Sequence, residues 1–265
     1  FQEKLQKLTE IPVALGMRYG SMSIKKAFDE LAEKEVTEVL LVPLYPHYAM
    51  SSYETVVVKA LEDQRKHHPS MKLTTMPAFY SNEEYIKVLG DSIAEQLKDF
   101  EYDHMLFSYH GIPERHIRKS DPTKFHCKID GSCCNTNSVA HHTCYRHQCF
   151  ATTESVRKYL GLSEEKVSSS FQSRIAGDTW LKPYTDYEFE RFAKEGKKRL
   201  VVITPAFVAD CLETLEEIAM EGEEEFIEAG GSAFKHVACL NDSDPWVSLM
   251  AQWVNDWAET AKLPV

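Results

Sequence analysis

His104-Met-Leu-Phe-Ser-Tyr109, running straight into His110-Gly111-Ile112-Pro113, decides the fold. The apolar run predicts a buried strand, and Gly111 and Pro113 turn the chain away at its end. A second run, Leu200-Val-Val-Ile-Thr-Pro205, repeats the arrangement and is followed by Asp210-Cys-Leu-Glu213-Thr-Leu-Glu216-Glu217. In open α/β sheets ligands bind outside the carboxyl ends of strands. A histidine at one such end and carboxylates at another suggest proton removal and handling of a cation.

Outward from these strands, apolar runs alternate with amphipathic stretches. Strands are predicted at 38–45, 72–79, 105–110, 166–172, 199–205 and 234–240, with 13–16 resembling a further interior strand. Helices are predicted at 23–34, 53–66, 82–98, 144–160, 186–194, 211–229 and 245–261, with Asn82 and Thr185 as N-caps. This alternation gives an α/β fold of mainly parallel sheets covered on both faces. Val39-Leu-Leu-Val-Pro43, leading to Tyr53-Glu-Thr55, parallels Val201-Val-Ile-Thr-Pro205, leading to Leu212-Glu-Thr214. Two doubly wound lobes with a cleft between them would explain the echo; chance recurrence of a common strand–Pro–helix unit is its rival. Phe1 opens mid-helix without a cap, so an upstream strand and helix are expected to be missing.

The 265 residues, 43% hydrophobic and 27% charged, suit a globular enzyme. A net charge of −11 argues against nucleic-acid binding, and no run is long enough to span a bilayer. Five of seven cysteines fall between Cys127 and Cys149, which reads as metal ligation in a reducing compartment, the cytoplasm, rather than as disulfides. Buried small residues are the plainer alternative.

Imidazole exchanges protons near neutral pH, so His110 is a candidate base; a structural histidine at a strand end is the alternative. Glu213, Glu217 and Glu221 follow an i, i+4, i+8 stripe, with Asp210 and Glu216 beside its start. Like charges at that spacing destabilise a helix unless a cation or solvent relieves them. A solvated acidic face fits Glu223-Glu-Glu225 well, but fits Glu213 less well between Leu212 and Leu215. Tyr45-Pro-His-Tyr48, Phe171-Gln-Ser-Arg174 and Trp180 place aromatic and polar groups at other strand ends, where a large planar ligand could lie.

The chain resembles the ferrochelatases, which insert ferrous iron into a porphyrin. The resemblance runs through Ser108-Tyr-His-Gly-Ile-Pro113, Phe171-Gln-Ser-Arg174, Trp180-Leu-Lys-Pro-Tyr-Thr-Asp186 and Pro205 to Glu217, with Thr179 where proline is commoner. It implies two flavodoxin-like (Rossmann-like) lobes: residues 1–107 with 244–265 packed back on them, and 108–243. It implies His110 as base for the pyrrole protons, Glu213 as acidic partner, and Asp210 and Glu217 on a metal or proton path; His110 and Glu213 are also candidate metal ligands. Arg18, Tyr19, Tyr45, Tyr48, Ser51, Trp180 and Phe207 would contact protoporphyrin IX or coproporphyrin III.

Two departures accompany it. The family's N-terminal Gly-Gly-Ser-Pro segment has no counterpart here, and residues of about 119–149 form a cysteine-rich insertion. Some ferrochelatases carry a 2Fe–2S cluster on four cysteines; Cys127, Cys133, Cys134 and Cys144 give the right number, with Cys149 ranked fifth. Zinc is the alternative ion. A homodimer and peripheral membrane contact stay open. Rival readings are a non-catalytic porphyrin- or metal-binding protein, a chelatase for another metal–tetrapyrrole pair, and a metal or redox sensor. Cys211 stands where some ferrochelatases have a second histidine.

Overall fold

Two parallel sheets organise the chain in the computed structural model, which describes residues 1–264. The smaller pairs β1 (Glu38–Leu41) with β2 (Lys72–Thr75). The larger holds β3 (His104–His110), β4 (Val167–Gln172), β5 (Arg199–Ile203) and β6 (Ala233–Val237) in the order β4-β3-β5-β6. Every pairing is parallel. From β3 the chain winds outward to β4, then returns to β5 on the other side and winds outward to β6. The crevice between the ends of β3 and β5 is therefore a topological switch point, where open α/β sheets bind ligands. It lies where His110 and the acids were expected.

The helices are α1 (Gln2–Lys7), α2 (Ile24–Glu33), α3 (Thr55–His67), α4 (Glu83–Leu97) and α5 (Glu114–Ser120), then α6 (Tyr145–Tyr159), α7 (Thr185–Lys194), α8 (Leu212–Leu215), α9 (Glu223–Glu228) and α10 (Asp244–Thr260). Period-two alternation divides the strands between two cores. Met105, Phe107, Tyr109, Val201 and Ile203 join Ile93 of α4, Val156 of α6 and Met250 of α10 on one face. Leu106, Leu200 and Val202 meet Phe189, Phe192 and Phe226 on the other. A third core joins α2 and α3 through Phe28, Leu31 and Ala60.

Several expectations are corrected. The helix expected over 211–229 is α8, a π-helical turn (Glu217–Gly222) and α9. A second π-helical turn, Met50–Glu54, precedes α3. Residues 13–16 form no strand: the side chain of Gln6 accepts from Val13 N–H and donates to the Ile11 carbonyl, while Gln2 donates to the Val13 carbonyl. These glutamines take the backbone groups that a strand partner would need. Asn82 caps α4, accepting from Glu84 and Tyr85 N–H, but Thr185 caps nothing. Its hydroxyl is buried against Ser108 and Ser170. A lobe boundary at 107/108 would cut β3, and α10 packs on α1 and α4; Val265, the end of the 244–265 segment, lies outside the described residues.

Candidate active site at the sheet switch point

His110 closes β3, half-buried, with its ring 6.2 Å from that of Phe207 in the loop after β5. Its Nδ1 lies 2.6 Å from the Gly111 carbonyl. A carbonyl only accepts, so Nδ1 carries the hydrogen and Nε2 presents the lone pair. Nε2 is thus the ring nitrogen able to accept a proton. Gly111 is needed here for space, because a Cβ would stand 2.8 Å from the Gln172 carbonyl and 3.2 Å from the Trp180 ring.

The acids are held in different ways. The neighbouring Cys211 thiol lowers the Glu213 pKa, and nearby His110 adds a smaller lowering. Glu213 is thus ionised and electrostatically linked to His110. Burial, then the Glu213 carboxylate, pushes the Cys211 thiol up to about 11, so it stays protonated. Asp210 and Glu217 are instead engaged by the protein. Asp210 accepts from Asn241, Thr214 and Cys239 N–H at 2.7–3.2 Å. Burial would raise its pKa, but these donors outweigh it and hold the carboxyl below its usual range. Glu217 accepts from Ser173 N–H at 2.6 Å and from Gln172 Nε2 at 3.2 Å. Among the described residues no three His, Cys, Asp or Glu side chains stand as a ready-made metal centre.

A ferrochelatase family model matches residues 1–257. The chain belongs to the ferrochelatase family. It is 48% identical over 252 residues to a ferrochelatase from Opitutus terrae, covering 95% of this chain and 73% of that one. With a ferrochelatase from Stutzerimonas stutzeri the identity is 44% over 245 residues, 92% of this chain and 72% of that one. SirB from Bacillus subtilis, solved with Fe3+, shares the fold: the TM-score is 0.67 at 12% identity, covering 98% of this chain and 88% of that one.

A cleft of about 540 Å³ is lined by Gln172, Ser173, Arg174, Trp180, Asp186 and Glu217 among others, but not by His110 or Glu213. Trp180 is buried at its rim with its indole N–H unpartnered. Of the other expected porphyrin contacts, Phe207 lies by His110, and the rest belong to the first third of the chain. Arg18 stacks over Tyr19 at 4.8 Å and donates to Thr55, and Tyr19 is 77% exposed. Burial, and to a lesser degree Tyr19, raises the Tyr45 pKa; Tyr48 is pushed up to about 12 by burial and Glu54. Ser51 is exposed in the π-helical turn before α3.

Three linking residues were not singled out from the sequence. Tyr145 donates to the His110 carbonyl at 2.9 Å. Gln148 accepts from Tyr48 N–H at 2.6 Å, and Thr152 hydrogen-bonds buried His47 at 2.9 Å. They occupy positions i, i+3 and i+7 of α6, the spacing of one helix face, and that pattern was the available signal.

In the cysteine-rich segment all cysteines are free thiols. Arg146 donates to the Cys134 thiol sulfur at 3.2 Å. Burial pushes Cys127 up to about 11; Cys134 is raised by neighbouring Cys144, then by burial. Cys149 is fully buried, which raises its thiol well above the usual range. Asp121 shapes the loop, accepting from His126 N–H, Cys127 N–H and both Thr123 donors.

Proposed function

We propose that this enzyme inserts ferrous iron into protoporphyrin IX or coproporphyrin III, with His110 removing pyrrole protons and Glu213 as its acidic partner. The orientation of His110, with Nδ1 committed to the Gly111 carbonyl, is the observation that carries this reading. Exchange of two pyrrole N–H protons for Fe2+ leaves the metalloporphyrin and two protons. Nε2 accepts one proton at a time, and the ionised Glu213 stabilises the imidazolium and passes its proton toward solvent. A base gains from being placed against a ring bent out of plane, because only then does the departing N–H face it; the aromatic groups at Tyr45, Tyr48, Phe207 and Trp180 would grip that bent form.

The engaged carboxylates of Asp210 and Glu217 support a supporting role for them on the route, with Glu213 as the ligand-capable group. Tyr19, Leu212 and Leu215, all at least half exposed, support an apolar mouth that meets porphyrin or a peripheral membrane surface. No helix among the described residues is long and apolar enough to cross a membrane. A cytoplasmic location and a homodimer remain proposals alongside this one.

Thiolates suit a 2Fe–2S cluster in their chemistry, and Cys127, Cys133, Cys134 and Cys144, drawn together, would hold it, with zinc the alternative. Bound there, it would supply a cross-link or a redox-sensitive element.

The test is anaerobic loss of porphyrin fluorescence with Fe2+ or Zn2+, run on the chain and on His110→Ala. Turnover lost in the variant while porphyrin still binds supports the reading; equal turnover in both overturns the role of His110.

A further inference from the structure

The cysteine-rich segment and the candidate base meet at two consecutive residues. Cys144 is the N-cap of α6, and Arg146, two residues on, donates to the Cys134 thiol sulfur at 3.2 Å. Tyr145, the residue between them, is 5% exposed and donates its hydroxyl to the His110 carbonyl at 2.9 Å. Its ring stands edge-on to that of His47 at 5.9 Å. One turn on, Gln148 holds Tyr48 N–H and also donates to the carbonyls of His141 and His142 within the insertion. The start of α6 is therefore bonded to the Cys134 thiol, to the insertion and to both walls of the site.

We propose that Tyr145 is a positioning residue for His110, and that through it the arrangement of the four thiols sets the placement of the base. The second part rests on the reading of those thiols as one ligand set. His110 ends its strand; beyond it the backbone relies on Gly111 N–H donating to the Gln172 carbonyl at 2.8 Å. The Tyr145 hydroxyl anchors the neighbouring carbonyl of the same unit. Drawing the thiols together moves Cys144, the first turn of α6 and that hydroxyl as one body. Histidine placement is a sensitive quantity, since a displacement near 1 Å costs roughly 100-fold in rate.

Tyr145→Phe removes only the hydroxyl. The expected result is a fall in kcat of about tenfold or more with porphyrin KM within about twofold, and faster amide deuterium exchange in a peptide covering 105–113. A purely structural tyrosine would shift thermal unfolding without splitting kcat from KM. Unchanged kcat and exchange would overturn the positioning role.

Coupling is read from Cys144→Ser and the double variant, with Cys133→Ser as a second thiol variant should the first fail to fold. Faster exchange at 105–113 in the cysteine variant, no greater in the double variant, supports one shared link. Additive changes would overturn the coupling. Iron and acid-labile sulfide assays on the purified chain test the cluster reading separately, so its failure is told apart from failure of the tyrosine link.

Discussion

The side-chain amide of Gln172 donates a 2.7 Å hydrogen bond to the backbone carbonyl of Glu213, while its own carbonyl accepts from Ser108 at 2.8 Å. Ser108 bonds Thr185, which bonds Ser170. A line of buried hydroxyls thus fixes which way the Gln172 amide faces, and the amide fixes the start of the acidic helix beside His110. Within Phe171-Gln-Ser-Arg174, the glutamine thus places Glu213, the acid of the proposed function.

Gln172→Leu keeps the volume and removes both ends of this line. The Ser108 hydroxyl and Glu213 carbonyl lose a partner, which predicts a loss of about 1–3 kcal/mol in urea unfolding. Metal insertion should fall with it. Unchanged stability would show that water or a rearranged neighbour replaces the amide.

Glu213→Gln retains the shape and removes the charge facing His110. Steady-state metallation should drop by roughly 10²-fold in kcat, because the imidazolium loses its carboxylate. The Cys211 thiol, no longer beside a carboxylate, should lose its proton more readily and react faster with iodoacetamide at pH 9 than in the parent chain. Equal alkylation rates would contradict the influence of the Glu213 charge on Cys211.

Two buried histidines set the acid limb of stability. Burial lowers His47 to about 3 and His104 to about 4, from an ordinary 6.5. The unfolded chain binds protons there below pH 6.5 while the fold does not, so stability must decline as pH falls through that window. Urea midpoints at pH 7.5, 6 and 5 should decrease in turn. His104→Leu should flatten the slope by about one proton; an unaltered slope would mean that His104 protonates equally in both states.

Asp121 offers a test confined to the cysteine segment. Burial opposes its charge, but hydrogen bonds from Cys127, Thr123 and His126 win and hold it at about 2, below the ordinary 3.8. Its contribution is complete above the higher value and is lost as pH falls through the lower. Asp121→Asn should expose Cys127 to thiol reagents at neutral pH, while porphyrin binding stays within about twofold of the parent.

The large sheet was legible because its strands are uninterrupted apolar runs, and two-sided burial leaves a parallel strand no polar alternation. The placement of His110 at the end of β3 and of Glu213 beyond β5 was legible from the same runs. The π-helical turn over 217–222 was not, since its insertion depends on Gly222 admitting Phe189, which a Cβ would meet at 2.8 Å. Residues 13–16 misled for a similar reason: side-chain amides of α1, distant from any sheet pattern, satisfy that backbone. The links from α6 depend on which face of a polar helix turns inward, and Thr152 and Gln148 are buried there by hydrogen bonding rather than by hydrophobicity.

The core that joins α4, α6 and α10 to the large sheet has a mechanical consequence. α4 precedes β3 in the chain yet packs chiefly on α6, and Gly90 lies so close to Tyr159 that a methyl group would collide with it. Spreading the two halves of the chain would tear this packing, so opening them like a jaw has a cost in lost contacts. Under the proposed function a macrocycle would then be flexed by a stiff mould, and the work of bending it would fall on fit at the moment of binding.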